Sequence, residues 1–338
     1  MGLIRKEDLH SSCEEYIGKL HSNPNLLING DFQVWQRGLG KNGNNYFDCT
    51  NSNKYTADRF MVSGEQGTRL TVEKQKGSGM KLIFNDHTLN TSNIRTYFDR
   101  DDILRMVGKT YTFSVEYQYE YNNPWSNDFH LFSYPDNSVS YSVIKSKKIE
   151  VGLKQIRLEI TFKIDSISDE TTKMHIQWLR SRDDVDGFGY HIIKYIKLEE
   201  GTIATPFVPR PYREELDLCL RYYYRAKISQ NLIASDDKQI LVNINTPKIM
   251  RINPTAIYDT DVYFHNLSDG NPILIGNKGD HPQRIDEYIN DCNLKVWLCN
   301  SNSSTQITSG MCGVINDSNS NNNRLTSSAI IIFDAEIY

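Results

Sequence analysis

Residues 109–121 read KTYTFSVEYQYEY, and this stretch decides the fold class. Tyr111, Phe113, Val115 and Tyr117 fall on one face of an extended chain and Thr112, Ser114, Glu116 and Gln118 on the other, the period of a half-buried antiparallel strand. Stretches of the same kind flank it: RLTVEKQ (69–75), MKLIF (80–84), KQIRLEITFKI (154–164), KMHIQWLRS (173–181) and YHIIKYIKLEE (190–200). Clusters of Gly, Asn, Asp and Pro separate them (GKNGNN, GEQGT, GSG, NNPW, PDNS, DDVDG) and supply turns. Strands at this spacing without intervening helices predict a mostly β chain whose residues 25–211 form a β-sandwich or jelly roll.

The pattern changes on both sides. In IRKEDLHSSCEEYIGKLH (4–21), Leu9, Cys13, Tyr16 and Leu20 are spaced as the a/d seam of a short coiled coil, and Pro24 closes the helix. A helix of two heptads is marginal alone in water, so residues 1–24 are expected to pack on copies of themselves, the other reading being an amphipathic helix docked on its own domain. In ATPFVPRPYREELDLCLRYYYR (204–225), three prolines precede a run with Leu216, Leu218, Cys219 and Leu220 that reads as a helix of one or two turns. This is the expected domain boundary. Beyond it short strands return (KQILVNI, AIYDTDVYFHN, NPILIG, NLKVWLC, SAIIIFDAEIY) between Asn/Ser-rich stretches, and residues 212–338 are expected to form a second β-sandwich.

Composition bounds the function. The 338 residues carry 38 Lys+Arg against 42 Asp+Glu, a net charge of −4 that is too balanced for generic polyanion binding, so a nucleic-acid partner is not expected. No apolar run approaches the length of a membrane span, and MGLIRKEDLH lacks a signal-peptide core, so a soluble chain made in a cytosol is expected. Cys13, Cys49, Cys219, Cys292, Cys299 and Cys312 form no C-x-x-C pair and are expected to be free thiols, mostly buried.

No catalytic signature is present: no G-x-S-x-G, no H-E-x-x-H, no Walker loop and no G-x-G-x-x-G opening a helix. The chain is therefore not expected to be an enzyme or to carry a cofactor. RDDVDGFG (182–189) resembles part of a calcium loop, but Arg182 stands where an oxygen ligand is needed, and it reads as a turn. The eight histidines are scattered singly, with no metal-ligand spacing, and ordinary surface or core roles are expected for them. What stands out is 11% Phe, Trp and Tyr, including 20 tyrosines, among many Asn, Asp and Ser. A sugar has an apolar ring face flanked by hydroxyls, so it stacks on Trp or Tyr while Asn, Asp, Gln and Arg take the hydroxyls. Candidate platforms are Trp125, Tyr134 and Trp178 in the first domain and Tyr258, Tyr263, His265 and Trp297 in the second, each set against ordinary core packing. Trp35 and Trp178 have strand-like context and are expected in the core.

Three stretches carry a family resemblance. NLLINGDFQVWQR (25–37) with YTADRF (55–60) resembles the opening of the carbohydrate-binding-module-like jelly roll of phage tail fibres and other tail receptor-binding proteins. KLEEGTIATPFVPRPYREELDLCLRYYYR (197–225) is similar to the segment that ends this jelly roll and leads into the fibre head. TPKIMRINPT (246–255) and the terminal FDAEIY resemble the head domain of the same group. The resemblance implies a homotrimeric receptor-binding protein in the virion tail, assembled in the host bacterial cytoplasm. Its N-terminal helix would join baseplate or tail proteins, and its tip would recognise host cell-surface polysaccharide without catalysis. Calcium-binding members of the jelly-roll class carry an Asp pair of the type IDDVQLE in the last strand; here Lys194 and Tyr195 occupy those positions, so no structural metal is expected.

Two other classes compete with host adhesion: a structural baseplate or fibre connector without sugar affinity, and a tail-spike depolymerase, which would need a carboxylate pair in a groove. On the adhesion reading the head, farthest from the attachment end, is expected to bind the host through its loops 300–309 and 316–323, with Trp297 the first platform.

Overall fold

In the computed structural model of the chain, the residues described are 22–37, 46–64, 70–85, 92–120, 128–179, 188–228, 231–236, 239–248, 250, 254–259, 262–266, 272–276, 279, 282, 284–286, 293–299, 312–316 and 329–334. They fall into two compact units, the first ending at Glu215 and the second beginning at Leu216. Both are mostly β, and among the described residues every strand pairing is antiparallel. The expected coiled-coil seam, with its residues Leu9, Cys13, Tyr16 and Leu20, lies outside the described residues.

The first unit holds two sheets. A seven-stranded sheet runs, in spatial order, β1 (Tyr46–Asp48), β4 (Leu70–Lys74), β5 (Met80–Asn85), β12 (Phe188–Glu200), β7 (Thr110–Tyr119), β10 (Gln155–Ser166) and β9 (Ser140–Gly152). A five-stranded sheet runs β2 (Asn53–Tyr55), β3 (Met61–Gly64), β6 (Ser92–Asp99), β11 (Lys173–Leu179) and β8 (Asp128–Tyr134). Alternate residues of both sheets meet in one core: Leu82, Phe84, Phe113, Val115, Leu158, Phe162 and Leu198 from the larger, Ile94, Leu131, Met174, Ile176 and Trp178 from the smaller. In β12 a bulge between Ile193 and Tyr195 shifts the alternation by one, so Ile193, Ile196 and Leu198 all reach the core. Trp178 is buried and Trp35 packs against the same cluster from its edge.

Two expectations need correction. A helix does interrupt the strands: α1 (Arg100–Met106) is capped by the Asp99 side chain, which accepts from the Asp102 amide at 3.1 Å, and it buries Ile103 and Met106. Thr112 and Ser114 on β7, assigned to the open face, are also buried. Thr112 Oγ1 donates to Gly201 O at 2.8 Å and lies 3.1 Å from Thr161 Oγ1, so the chain that follows β12 covers this face and satisfies its hydroxyls.

That covering is anchored at several points. Lys197 is buried with Glu199, and its ammonium meets Thr205 Oγ1 at 2.6 Å, Pro206 O at 3.0 Å and Glu199 Oε2 at 3.2 Å. Arg210 donates to Leu27 O and to both oxygens of Glu215, while Gln33 Nε2 donates to Arg210 O at 3.0 Å. The Pro-rich stretch is thus strapped to the first unit by charge-assisted bonds rather than free as a linker. At the other end Asn25 Oδ1 accepts from Leu27 N and Leu198 N, and its Nδ2 donates to Ile196 O. Gly30 lies so close to β12 that an added Cβ would sit 2.5 Å from Ile196 O, which requires glycine there. Cys49 and Cys219 are buried, and burial pushes the Cys49 thiol up to about 12.

The second unit opens in α2 (Tyr212–Cys219), the helix that carries the unit boundary. Three strands, β13 (Tyr223–Ile228), β22 (Ala329–Asp334) and β16 (Thr255–Tyr258), form one sheet in that order. A seven-stranded sheet runs β18 (Pro272–Gly276), β17 (Val262–Asn266), β21 (Cys312–Asn316), β14 (Asn231–Asp236), β15 (Gln239–Asn245), β20 (Asn293–Cys299) and β19 (Arg284–Asp286). Val242 and Val296 are register partners across β15 and β20, and both are fully buried. The run AIYDTDVYFHN, read as one strand, is split into β16 and β17, which belong to different sheets.

Candidate functional site

The five-stranded sheet places three adjacent strands, β6, β11 and the edge strand β8, in register. His175 on β11 pairs with Tyr97 on β6 and with Phe132 on β8; one row over, Gln177 pairs with Arg95 and His130; on the other side, Lys173 pairs with Asp99 and Tyr134. Because side chains alternate, these residues leave the sheet on the face opposite Met174, Ile176 and Trp178. Rings therefore meet across strands: His175 stacks with Phe132 at 5.1 Å and 29°, lies 5.0 Å from Tyr97 and is 5.8 Å from Tyr134. His130 continues the row at 5.7 Å from Phe132. The Lys173 ammonium sits 4.7 Å over the Tyr134 ring, a cation–π contact.

On this face lies an open cleft of about 370 Å³, lined by Arg95, Phe132, Ser133, Tyr134, Pro135, Asn137, His175 and Gln177. The turn after β8 shapes one wall. Asn137 adopts a positive φ of 53°, its Oδ1 accepts from the Ser133 amide, and Ser133 Oγ accepts from Val139 N. His175 is only 3% exposed, and its Nε2 is 3.2 Å from Gln177 Oε1. Burial, with smaller contributions from the Arg95 and Lys173 charges, pushes the imidazole down to about 4 against the opposing Gln177 hydrogen bond, so it is neutral near pH 7. Burial likewise raises the Tyr97 hydroxyl and lowers the Lys173 ammonium. Two buried atoms here have no hydrogen-bond partner among the described residues, His175 Nδ1 and Arg95 Nε. Aromatic rings beside unfilled donor and acceptor positions can stack an apolar ring face and take its polar substituents.

The predicted platforms are not gathered in one place. Tyr134 is half-buried and lines the cleft. Tyr258 is 2% exposed on β16, so the expectation of a stacking platform there is corrected: its ring faces are already packed by protein. Tyr263 is half-buried on β17. Trp125, the side chains of His265 and Trp297, and the loops 300–309 and 316–323 apart from Asn316 lie outside the described residues. Arg95, Phe132, His175 and Gln177 escaped sequence reasoning, which assigned the lone histidines ordinary roles. The available signal was FHLFSY (129–134) beside MHIQWL (174–179), two alternating runs with aromatic residues on both faces.

Among the described residues no group of three His, Cys, Asp or Glu could hold a metal ion. At the positions where an Asp pair would bind calcium, Lys194 Nζ instead lies 3.3 Å from Glu116 Oε1, and the Tyr195 ring stacks on Phe207 at 4.5 Å and 10°. No helix among the described residues is long and apolar enough to cross a membrane.

No protein-family model matches the sequence, and no curated protein matches it. Among solved structures, the N-terminal CBM22-1–CBM22-2 tandem domain of Xyn10C from Paenibacillus barcinonensis is similar over 94% of this chain and 98% of its own, with 10% identity and a TM-score of 0.31.

Proposed function

We propose that this chain is a non-catalytic carbohydrate-binding protein of a phage tail or phage-tail-like particle, and that its first unit is a jelly roll which contributes a sugar site. The observation that carries the binding half is the cleft on the five-stranded sheet. Phe132 and Tyr134 offer ring surface there, Arg95, Asn137 and Gln177 offer polar groups, and His175 Nδ1 awaits a partner. The adhesion half rests on the resemblance of residues 25–37, 55–60 and 197–225 to tail receptor-binding proteins. On this reading the protein is a homotrimer joined to baseplate or tail proteins through its N-terminus, and weak sites are multiplied by valency.

The test is glycan-array and host-cell binding by the intact protein and by Phe132→Ala and Tyr134→Ala. Loss of binding with an unchanged melting temperature supports the reading; full binding by both variants removes this cleft from it. Light scattering tests the trimer, against which a monomeric mass at micromolar concentration would count.

One observation favours the connector reading. Edge strand β9 is exposed along nearly its whole length, Val143, Ile144 and Val151 are open to solvent, and Leu153 in the following turn is 96% exposed. Such an edge can pair with a neighbouring chain, although Lys145, Lys147 and Lys148 oppose indiscriminate pairing. A connector would assemble through this edge and show no sugar binding.

A further inference from the structure

We infer that the cleft on the five-stranded sheet selects an acidic saccharide, one whose pyranose ring carries a carboxylate, over a neutral one; this rests on the carbohydrate-binding reading above. The chain as a whole is acidic, at −4, yet the cleft is not. Its lining contains a guanidinium, Arg95, and no Asp or Glu. Lys173 stands next to it on the same face, held over Tyr134. Among the described residues neither cation forms an ion pair, whereas Arg37, Arg157, Lys194, Lys197 and Arg210 in the same unit all do. Asp99, the acid across the register from Lys173, is engaged as the cap of α1.

The buried atoms point the same way. Arg95 Nε has no hydrogen-bond partner, while the guanidinium also meets the Tyr97 hydroxyl, and a guanidinium can present Nε and a terminal nitrogen as a planar fork that fits a carboxylate with two parallel hydrogen bonds. The neutral His175 beside it lacks a partner at Nδ1, so it can meet a sugar hydroxyl as donor or acceptor without adding charge. A neutral sugar would leave the fork desolvated and half-used, while a carboxylate satisfies it. Phe132 and Tyr134 then contribute ring contact that is the same for acidic and neutral sugars, so selectivity resides in Arg95 with support from Lys173.

The experiment uses the full chain and an oligosaccharide panel that pairs neutral members such as cellohexaose with uronic-acid members such as hexagalacturonate, titrated at low ionic strength and at about 0.5 M NaCl. The expected result is binding of uronic-acid members about tenfold or more tighter than neutral ones, with the preference shrinking in salt. Arg95→Gln should abolish the preference while leaving any neutral binding in place. Lys173→Gln, on the neighbouring strand, should reduce it by a smaller factor and covers the case in which Arg95→Gln fails to fold. Equal or tighter binding of neutral members overturns the acidic selectivity and leaves the carbohydrate reading standing; binding to no member of the panel overturns both. A preference for uronic acids that survives both substitutions, in variants that melt like the parent, also overturns the assignment.

Discussion

The two faces of the five-stranded sheet are made by the same adjacent strands, β6, β11 and β8, and differ by one residue of register. Inward, Ile94, Thr96, Ile176 and Trp178 close with Phe60, Phe113 and Ile196, and with part of Arg95, around a void of about 10 Å³, at the lower limit for a single water molecule. Outward, Arg95, His175 and Gln177 open a cleft of about 370 Å³ with Phe132 and Tyr134. Both faces are rich in aromatic rings, so aromatic content alone does not separate a core from a binding surface. What separates them is the state of the polar atoms. The inward face brings mostly hydrocarbon together, with Thr96 at its margin, whereas the outward face keeps a guanidinium without a carboxylate and an imidazole nitrogen without a partner.

The largest effect expected from this contrast is on the inward face. Trp178→Ala should destabilise the first unit by about 3–5 kcal/mol, the usual range for removing a buried large aromatic side chain. Denaturant unfolding measures it, and a loss under about 1 kcal/mol would mean that this face is not the core. Next comes the acid response of the outward face. Burial holds the folded His175 at about 4 against an ordinary 6.5, so the unfolded chain binds the proton first as pH falls. The stabilisation is complete above pH 6.5 and is lost between 6.5 and about 4, at about 1.4 kcal/mol per pH unit and roughly 3 kcal/mol in all. His175→Gln should flatten that part of the stability–pH profile; parallel profiles for parent and variant would show that the imidazole is not sealed in the neutral form.

Tyr134→Ala sharpens the comparison from the ligand side. It should lose about 1–3 kcal/mol of glycan binding, by analogy with aromatic stacking on nucleobases, while the melting temperature stays near that of the parent. A fall in melting temperature comparable to that of Trp178→Ala, with binding intact, would make the outward face a second core. The smallest effect belongs to a strand that is exposed along nearly its whole length. Ile144→Thr on β9 should change stability by no more than about 0.5 kcal/mol, and sedimentation of the same variant reports whether this edge takes part in self-association.

Much of the β architecture was legible because strands announce themselves by a period of two. TYTFSVEYQY, MKLIF and KQIRLEITFKI each place their buried apolar residues where alternation puts them. The failures came where local pattern competes with distant coverage. Thr112 and Ser114 read as solvent-facing, because nothing near β7 in sequence shows that residues 201–205 return to cover them. The cap at Asp99 was missed because α1 is under two turns long and follows a strand directly. Of the site, Tyr134 was singled out and its neighbours were not, since Arg95, Phe132 and His175 are separated by tens of residues and become adjacent only through the order β6–β11–β8.

The sequence by itself therefore determined the strand character of the chain and its wealth of aromatic residues, because these depend on residue type and near-neighbour spacing. Tertiary structure alone decided which aromatic residues face outward together, that Lys197 and Arg210 fasten the boundary segment to the first unit, and that Arg95 and His175 retain unpartnered atoms beside one another. The physical reason is that strand order and burial are set by contacts between residues far apart in the chain, and a polar atom's need for a ligand is defined only after every protein partner has been placed.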